Sequence, residues 1–108
     1  MIKLPVYHRD EGLYIFSREL HRKLEISTPH DEWISGFFKK HQMGIGYDYD
    51  ESPIIHDLGY ILYIDTAQSI ALCERSKLGI KVRRYLIWFK KEYYKRLYNI
   101  LSELNHMN

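Results

Sequence analysis

Two short hydrophobic runs open the chain, Leu4-Pro5-Val6-Tyr7 and Leu13-Tyr14-Ile15-Phe16, with the polar stretch His8–Gly12 between them. Short β-prone runs around a turn that ends in glycine predict a β-hairpin. The spacing then lengthens to that of a helix. Phe16, Leu20 and Leu24 share one face behind Ser17, a residue suited to an N-cap, and predict a helix over Arg18–Leu24. Thr28 is the next N-cap candidate, with Pro29 at the first helical position and Asp31 and Glu32 in the first turn. Trp33, Phe37 and His41, flanked by Ile34 and Phe38, carry this second helix over Pro29–His41. Joined by Glu25-Ile26-Ser27, the pair is compatible with a helix-turn-helix, a weak pattern that many small domains share.

Residues 42–59 hold Gly44, Gly46, Pro53 and Gly59 among acids and tyrosines and read as a loop. Tyr60–Ile64 is a β-prone run, and Asp65 or Thr66 caps a third helix over Ala67–Arg75. Ser76-Lys77-Leu78-Gly79 interrupts it. From there to Asn108 the chain has no glycine or proline, and helical spacing continues to Leu104. A helix of about 25 residues is about 37 Å long, against a radius of gyration of about 13 Å for a domain of this size. Its main stripe is Val82, Leu86, Phe89, Tyr93, Leu97, Ile100 and Leu104. A second line, Ile87, Tyr94, Tyr98 and Leu101, runs down another side. One apolar face packs on the body and two faces call for two surfaces, so the end from Tyr94 onward is expected to bind a partner or a second copy. The alternative is a helix packed along its whole length within one monomer. The expected class is α+β: an N-terminal hairpin, a small mostly helical body with a short additional strand, and a long C-terminal helix.

No repeat or linker divides the 108 residues, which are taken as one domain over 1–108. A 45% hydrophobic, 28% charged composition argues against disorder. Apolar runs such as Tyr85–Phe89 fall far short of the roughly 20 residues of a membrane span, so no membrane partner is expected. Met1-Ile2-Lys3-Leu4-Pro5 leads into polar residues, so no secretory leader is expected either. The formal net charge is only +2, but it is unevenly spread. Residues 46–66 hold Asp48, Asp50, Glu51, Asp57 and Asp65 with no Lys or Arg, whereas residues 67–108 hold nine bases and three acids. A basic helical half behind an acidic loop suits nucleic acid, an acidic protein surface or another copy of the chain. A merely solvated face is the plain alternative.

Candidate chemistry is sparse. Of the six histidines, only His30-Asp31 and His56-Asp57 stand beside carboxylates, and neighbours on a helix do not face each other. There is no HExxH, CxxC or phosphate-binding glycine loop, and Ser27, Ser35, Ser52 and Ser76 lie in no nucleophile-elbow context. The single cysteine, Cys73, reads as a small packed residue rather than a reactive thiol. No catalytic residue, metal ligand or cofactor is therefore expected.

Against this background, Ser17-Arg18-Glu19-Leu20-His21, Leu24, Thr28, Trp33-Ile34 and Asp48-Tyr49 resemble the first half of the AntA/AntB-type phage antirepressor domain. A second block is more specific: Tyr60-Ile61-Leu62, Asp65, Ala67, Ala71, Glu74-Arg75, Lys77, Gly79 and Arg83-Arg84-Tyr85-Leu86-Ile87. It is similar to the family's strand, alanine-rich helix, ER…G turn and ARRYFI-like helix start. The blocks keep the family's order and cover about residues 13–90, with 91–108 as a helical extension. The chain departs from the pattern at Pro29-His30, where members have a basic and an aromatic residue. It departs again at Ser35-Gly36-Phe37, where they have a basic run; Lys39 and Lys40 are a thin substitute for phosphate contacts.

The resemblance implies a phage or prophage regulator in the bacterial cytoplasm that relieves lysogenic repression, in a short form without the further C-terminal domain of many members. The expected partner is a phage or host repressor, bound through Lys81, Arg84, Lys91, Tyr94 and Lys95. Homo-oligomerisation, as a dimer or higher, is expected through Leu97, Tyr98, Leu101 and Leu104. Direct DNA binding by a helix-turn-helix or winged-helix-like body is the second reading. Leu20, Leu24, Trp33, Ile34, Leu62, Ala67 and Ala71 fall at core spacing and are expected to be scaffold. His21 is expected to be hydrogen-bonded on its helix. Glu74, Arg75, Arg83 and Arg84 are expected to form an ion-pair cluster at Gly79, with one of Arg83 and Arg84 free to meet a partner.

Overall fold

Alternation along the second hydrophobic run is that of a strand: Leu13 and Ile15 turn inward, and the run pairs on both sides. The computed structural model describes residues 2–51 and 56–107. Strands Tyr7–Arg9 (β1) and Gly12–Phe16 (β2) form the hairpin, with Tyr7 opposite Tyr14 and Arg9 opposite Gly12. Helices Ser17–Lys23 (α1) and His30–Lys40 (α2) follow. Strand Tyr49–Glu51 (β3), a single 3₁₀ turn at His56–Leu58 and strand Tyr60–Tyr63 (β4) come next. Helices Ile64–Cys73 (α3) and Lys77–His106 (α4) complete the chain. The four strands make one antiparallel sheet in the order β1-β2-β4-β3. This is the expected α+β class with its long last helix.

Pairing Ile15 with Leu62 puts those side chains on one face of the sheet with Leu13. There they join Ile34, Phe38, Ile70, Val82 and Leu86 in the core. Leu20, Leu24, Ala67 and Ala71 are buried as expected, while Trp33 is only half-buried. The opposite face carries Tyr7, Tyr14 and Phe16 packed ring on ring, beside an Arg9–Asp50–Tyr63 cluster. The Tyr85 hydroxyl donates to the Leu4 carbonyl at 2.9 Å and ties the N-terminal segment to α4.

Several expected boundaries move. Ser17 does not cap α1 but is its first residue, and Phe16 stands at the cap without a side-chain bond. Neither Thr28 nor Pro29 extends α2, which begins at His30; the Thr28 carbonyl instead accepts from His21 Nε2 at 2.6 Å. That contact gives His21 its expected hydrogen bond. Helix α3 starts at Ile64, directly from β4, and neither Asp65 nor Thr66 caps it. The last helix begins at Lys77, before Gly79, because Ser76 caps it by accepting from the Gly79 N–H at 3.0 Å. Gly79 is thus a buried helical residue rather than a break. A Cβ there would collide with the Glu74 carbonyl and lie 3.0 Å from that of Ala71, so glycine permits the tight α3–α4 corner.

Part of the expected loop is strand. β3 pairs with β4, Asp50 opposite Ile61. On its other side Tyr49 makes an isolated parallel bridge to Ile45, while the charges of Asp50 and Glu51 blunt the edge. The loop residues 52–55 and the side chain of His56, hence the His56-Asp57 pair, lie outside the described residues.

Candidate functional site

Helix α4 runs for 30 residues, about 45 Å at the helical rise, and the molecule is correspondingly drawn out to 53 × 31 × 24 Å. Leu86 is fully buried, Phe89 and Tyr93 are half-buried, and farther along the same stripe Leu97, Ile100 and Leu104 are 39%, 54% and 53% exposed. Packing along the whole length within the monomer is therefore excluded. The body ends at Tyr93 and Tyr94: the Tyr93 ring lies 5.7 Å from that of His8 in the hairpin, and Tyr94 reaches the hairpin tip at Gly12.

At about 100° per residue, Lys81, Arg84, Lys91 and Lys95 fall within about 80° of one another on the side of α4 turned from the body. All four are exposed, and none makes an ion pair among the described residues. Lys90, by contrast, is tied to Asp65 at 2.7 Å. Tyr94 lies off this band beside the hairpin tip, where its hydroxyl would stand 3.9 Å from a Cβ on Gly12. Leu97 and Leu104 continue the stripe, Leu101 flanks it, and Tyr98 turns away from it toward the basic band.

Spacing does not single out Trp88, yet it is half-exposed inside the basic band. It borders an open groove of about 370 Å³ with Phe89, Tyr93, Arg96, Leu97 and Ile100. On its other side it borders a hollow with Ile2, Tyr85, Lys81 and Arg84. Its position inside the Tyr85–Phe89 run hides it, because core helices carry such runs too.

The expected ion-pair cluster at Gly79 does not form. Glu74 instead accepts from Trp33 Nε1 at 3.4 Å. Arg75, Arg83 and Arg84 make no ion pair among the described residues, so neither Arg83 nor Arg84 is held as a brace. Cys73 is exposed, not packed. The acidic stretch is partly absorbed by the fold: Asp48 accepts from the Gly44 N–H at 2.9 Å, and Asp50 from the Tyr63 hydroxyl at 2.7 Å.

A second constellation is not visible in the sequence. Ser17 Oγ lies 2.7 Å from His30 Nε2, and His30 Nδ1 lies 2.7 Å from Asp31 Oδ1. Adjacent residues do meet here, because His30 and Asp31 open the first turn of α2. Burial pushes the His30 imidazole down from its ordinary 6.5, while Asp31 partly opposes this. The His30 N–H in turn holds the Asp31 carboxyl below its usual range. An ionised Asp31 only accepts, so Nδ1 carries the proton and Nε2 accepts from the Ser17 hydroxyl. Ser17 Oγ itself accepts from the Tyr60 N–H at 2.7 Å.

The bonding order is that of a serine–histidine–aspartate relay, but the exposures are reversed. Ser17 is 0% exposed and Asp31 stands in solvent, so no substrate reaches the hydroxyl. The relay joins the first residues of α1, α2 and β4. Because folding lowers the affinity of His30 for a proton, its contribution to stability is present above pH 6.5 and is lost as pH falls below that value. Denaturant midpoints measured from pH 7.5 to 5 are expected to fall, and His30→Gln to flatten the fall. An equal slope in both proteins would remove His30 as its source.

No described helix is long and apolar enough to cross a membrane. No known protein family matches the chain, and neither a curated protein nor a solved structure matches it.

Proposed function

We propose that this chain is a regulator without catalytic activity that binds a repressor, or another transcription regulator, and relieves repression by occupying its surface. In the cell it would promote the switch from lysogeny to lysis from the bacterial cytoplasm, as the resemblance to AntA/AntB-type antirepressors implies. The observation that carries the reading is the band Lys81, Arg84, Lys91 and Lys95, without an ion pair among the described residues, around half-exposed Trp88. Clustered bases with an aromatic anchor suit an acidic protein surface, where aromatic and arginine side chains concentrate binding energy. Self-association through the far end of α4 belongs to the same reading.

Direct DNA binding is the second reading, and the same bases favour it. Against it stands the start of α2, which presents Asp31 and Glu32 where a recognition helix would approach the bases.

Released operator DNA separates the two. Added to a fluorescent operator duplex bound by a phage repressor, the protein is expected to free the duplex. Combining Lys81→Glu, Arg84→Glu, Lys91→Glu and Lys95→Glu is expected to weaken that release by about a hundredfold. Affinity for the bare duplex that falls with salt at a log–log slope of about −3 to −4, the signature of four phosphate contacts, would support the second reading instead. A pull-down from a lysogen then checks the choice, since a protein complex survives nuclease and a DNA-bridged one does not.

A further inference from the structure

Beyond the body, the packing stripe of α4 becomes the seam of a coiled coil. Leu97, Ile100 and Leu104 follow Tyr93 at intervals of four, three and four residues, and all three are exposed. The two flanks of this seam differ. Arg96 and Glu103 occupy equivalent positions one heptad apart on one flank, and Tyr94 and Leu101 do so on the other. Neither Arg96 nor Glu103 makes an ion pair among the described residues.

We propose that the far end of α4 pairs with that of a second copy, antiparallel, about a two-fold axis passing between residues 98 and 99. This inference rests on the reading of that end as a self-association surface and gives it a geometry. The body sits on the seam side of α4 at Val82 and Leu86, so a parallel pair would drive two bodies into the same space. An antiparallel pair places the bodies at opposite ends.

Its register is set by the seam: Leu97 faces the partner's Ile100, and Tyr93 faces the partner's Leu104. Two-fold symmetry then brings like flanks together. Arg96 meets the partner's Glu103 on one side, and Tyr94 meets the partner's Leu101 on the other, each contact made twice. A parallel pair would instead set Arg96 against an apolar leucine. The C-terminal end of each helix enters the open groove beside Phe89 and Arg96 of the other copy. Tyr98 points away from the seam and takes no part.

The charges give a test that no other occupant passes. In sedimentation of the full chain, Arg96→Glu and Glu103→Arg are each expected to weaken the dimer by about tenfold, and the double variant to restore it. Leu97→Asp is expected to leave monomers that are still helical by circular dichroism. Spin labels at Asn105→Cys, in a Cys73→Ser background, are expected about 20 Å apart along the paired helices, not side by side. A wild-type monomer at high concentration overturns the pairing. So does a dimer indifferent to Leu97, a charge swap without rescue, or adjacent labels, which would mean a parallel pair. Repressor release reads the band Lys81–Lys95 separately, so its failure with an intact dimer would count against the proposed function and not against the pairing.

Discussion

Gly59→Ala is expected to destabilise the protein by about 3 kcal/mol or more, measured as a lowered denaturant midpoint. Gly59 has a φ of +78°, and a side chain in that region costs about 1–2 kcal/mol by itself. A Cβ there would also collide with Ser17 Oγ and lie 2.9 Å from His30 Cε1. Neither neighbour has room to retreat, since both are buried and bonded to each other. Displacing Ser17 would further strip the Tyr60 N–H of its acceptor, a penalty of about 1–3 kcal/mol for a buried group. Gly36 supplies the control. It lies on the exposed side of α2, where an added Cβ would meet nothing within 4 Å, so Gly36→Ala is expected to stabilise by about 0.5–1 kcal/mol. A Gly59→Ala protein within 0.5 kcal/mol of wild type would show that α1, α2 and β4 do not depend on this junction.

The same junction shows where reading the chain succeeds and where it stops. Hydrophobic period with turn and cap residues locates β2, the four helices and β4, because the residues that decide those elements are neighbours in sequence. The first strand, however, is Tyr7–Arg9 and shares only Tyr7 with the expected run Leu4–Tyr7. Ser17 misleads because a serine ahead of Leu20 looks like an N-cap, while its actual partners, His30 and Tyr60, lie 13 and 43 residues away. The Gly79 corner misleads in the same way. Glycine followed by a helical run suggests a break, and only the close approach of the Glu74 carbonyl makes it a helical residue. Strand β3 carries no apolar alternation in Tyr49-Asp50-Glu51, and its existence comes from an edge of β4 left open for pairing. The surface residues Lys81, Arg84, Lys91 and Lys95 are legible as one face because helical spacing suffices to group them. Hydrophobicity groups Tyr98 with Leu101, although Leu101 flanks the seam and Tyr98 turns away from it.

A contrast along one stripe of α4 separates packing within the chain from packing between chains. Leu86→Ala is expected to cost about 2–5 kcal/mol, the range for emptying a fully buried leucine site. Leu104→Ala, 18 residues farther down the same face, removes a side chain that is 53% exposed. At concentrations low enough to keep the chain monomeric, that substitution is expected to change stability by less than about 0.5 kcal/mol. The difference should then depend on concentration. If Leu104 is buried against a second copy, the wild-type melting temperature rises with protein concentration by mass action, and that of Leu104→Ala rises less. Leu86→Ala should shift both ends of the concentration series together, because its cavity lies inside one body. Equal costs for the two leucines at every concentration would place Leu104 in the monomer's own core. A small cost for Leu104 at every concentration would leave the outer seam without a partner. Only the divergence with concentration assigns one continuous hydrophobic stripe to two tasks, the inner half building the fold and the outer half joining two copies of it.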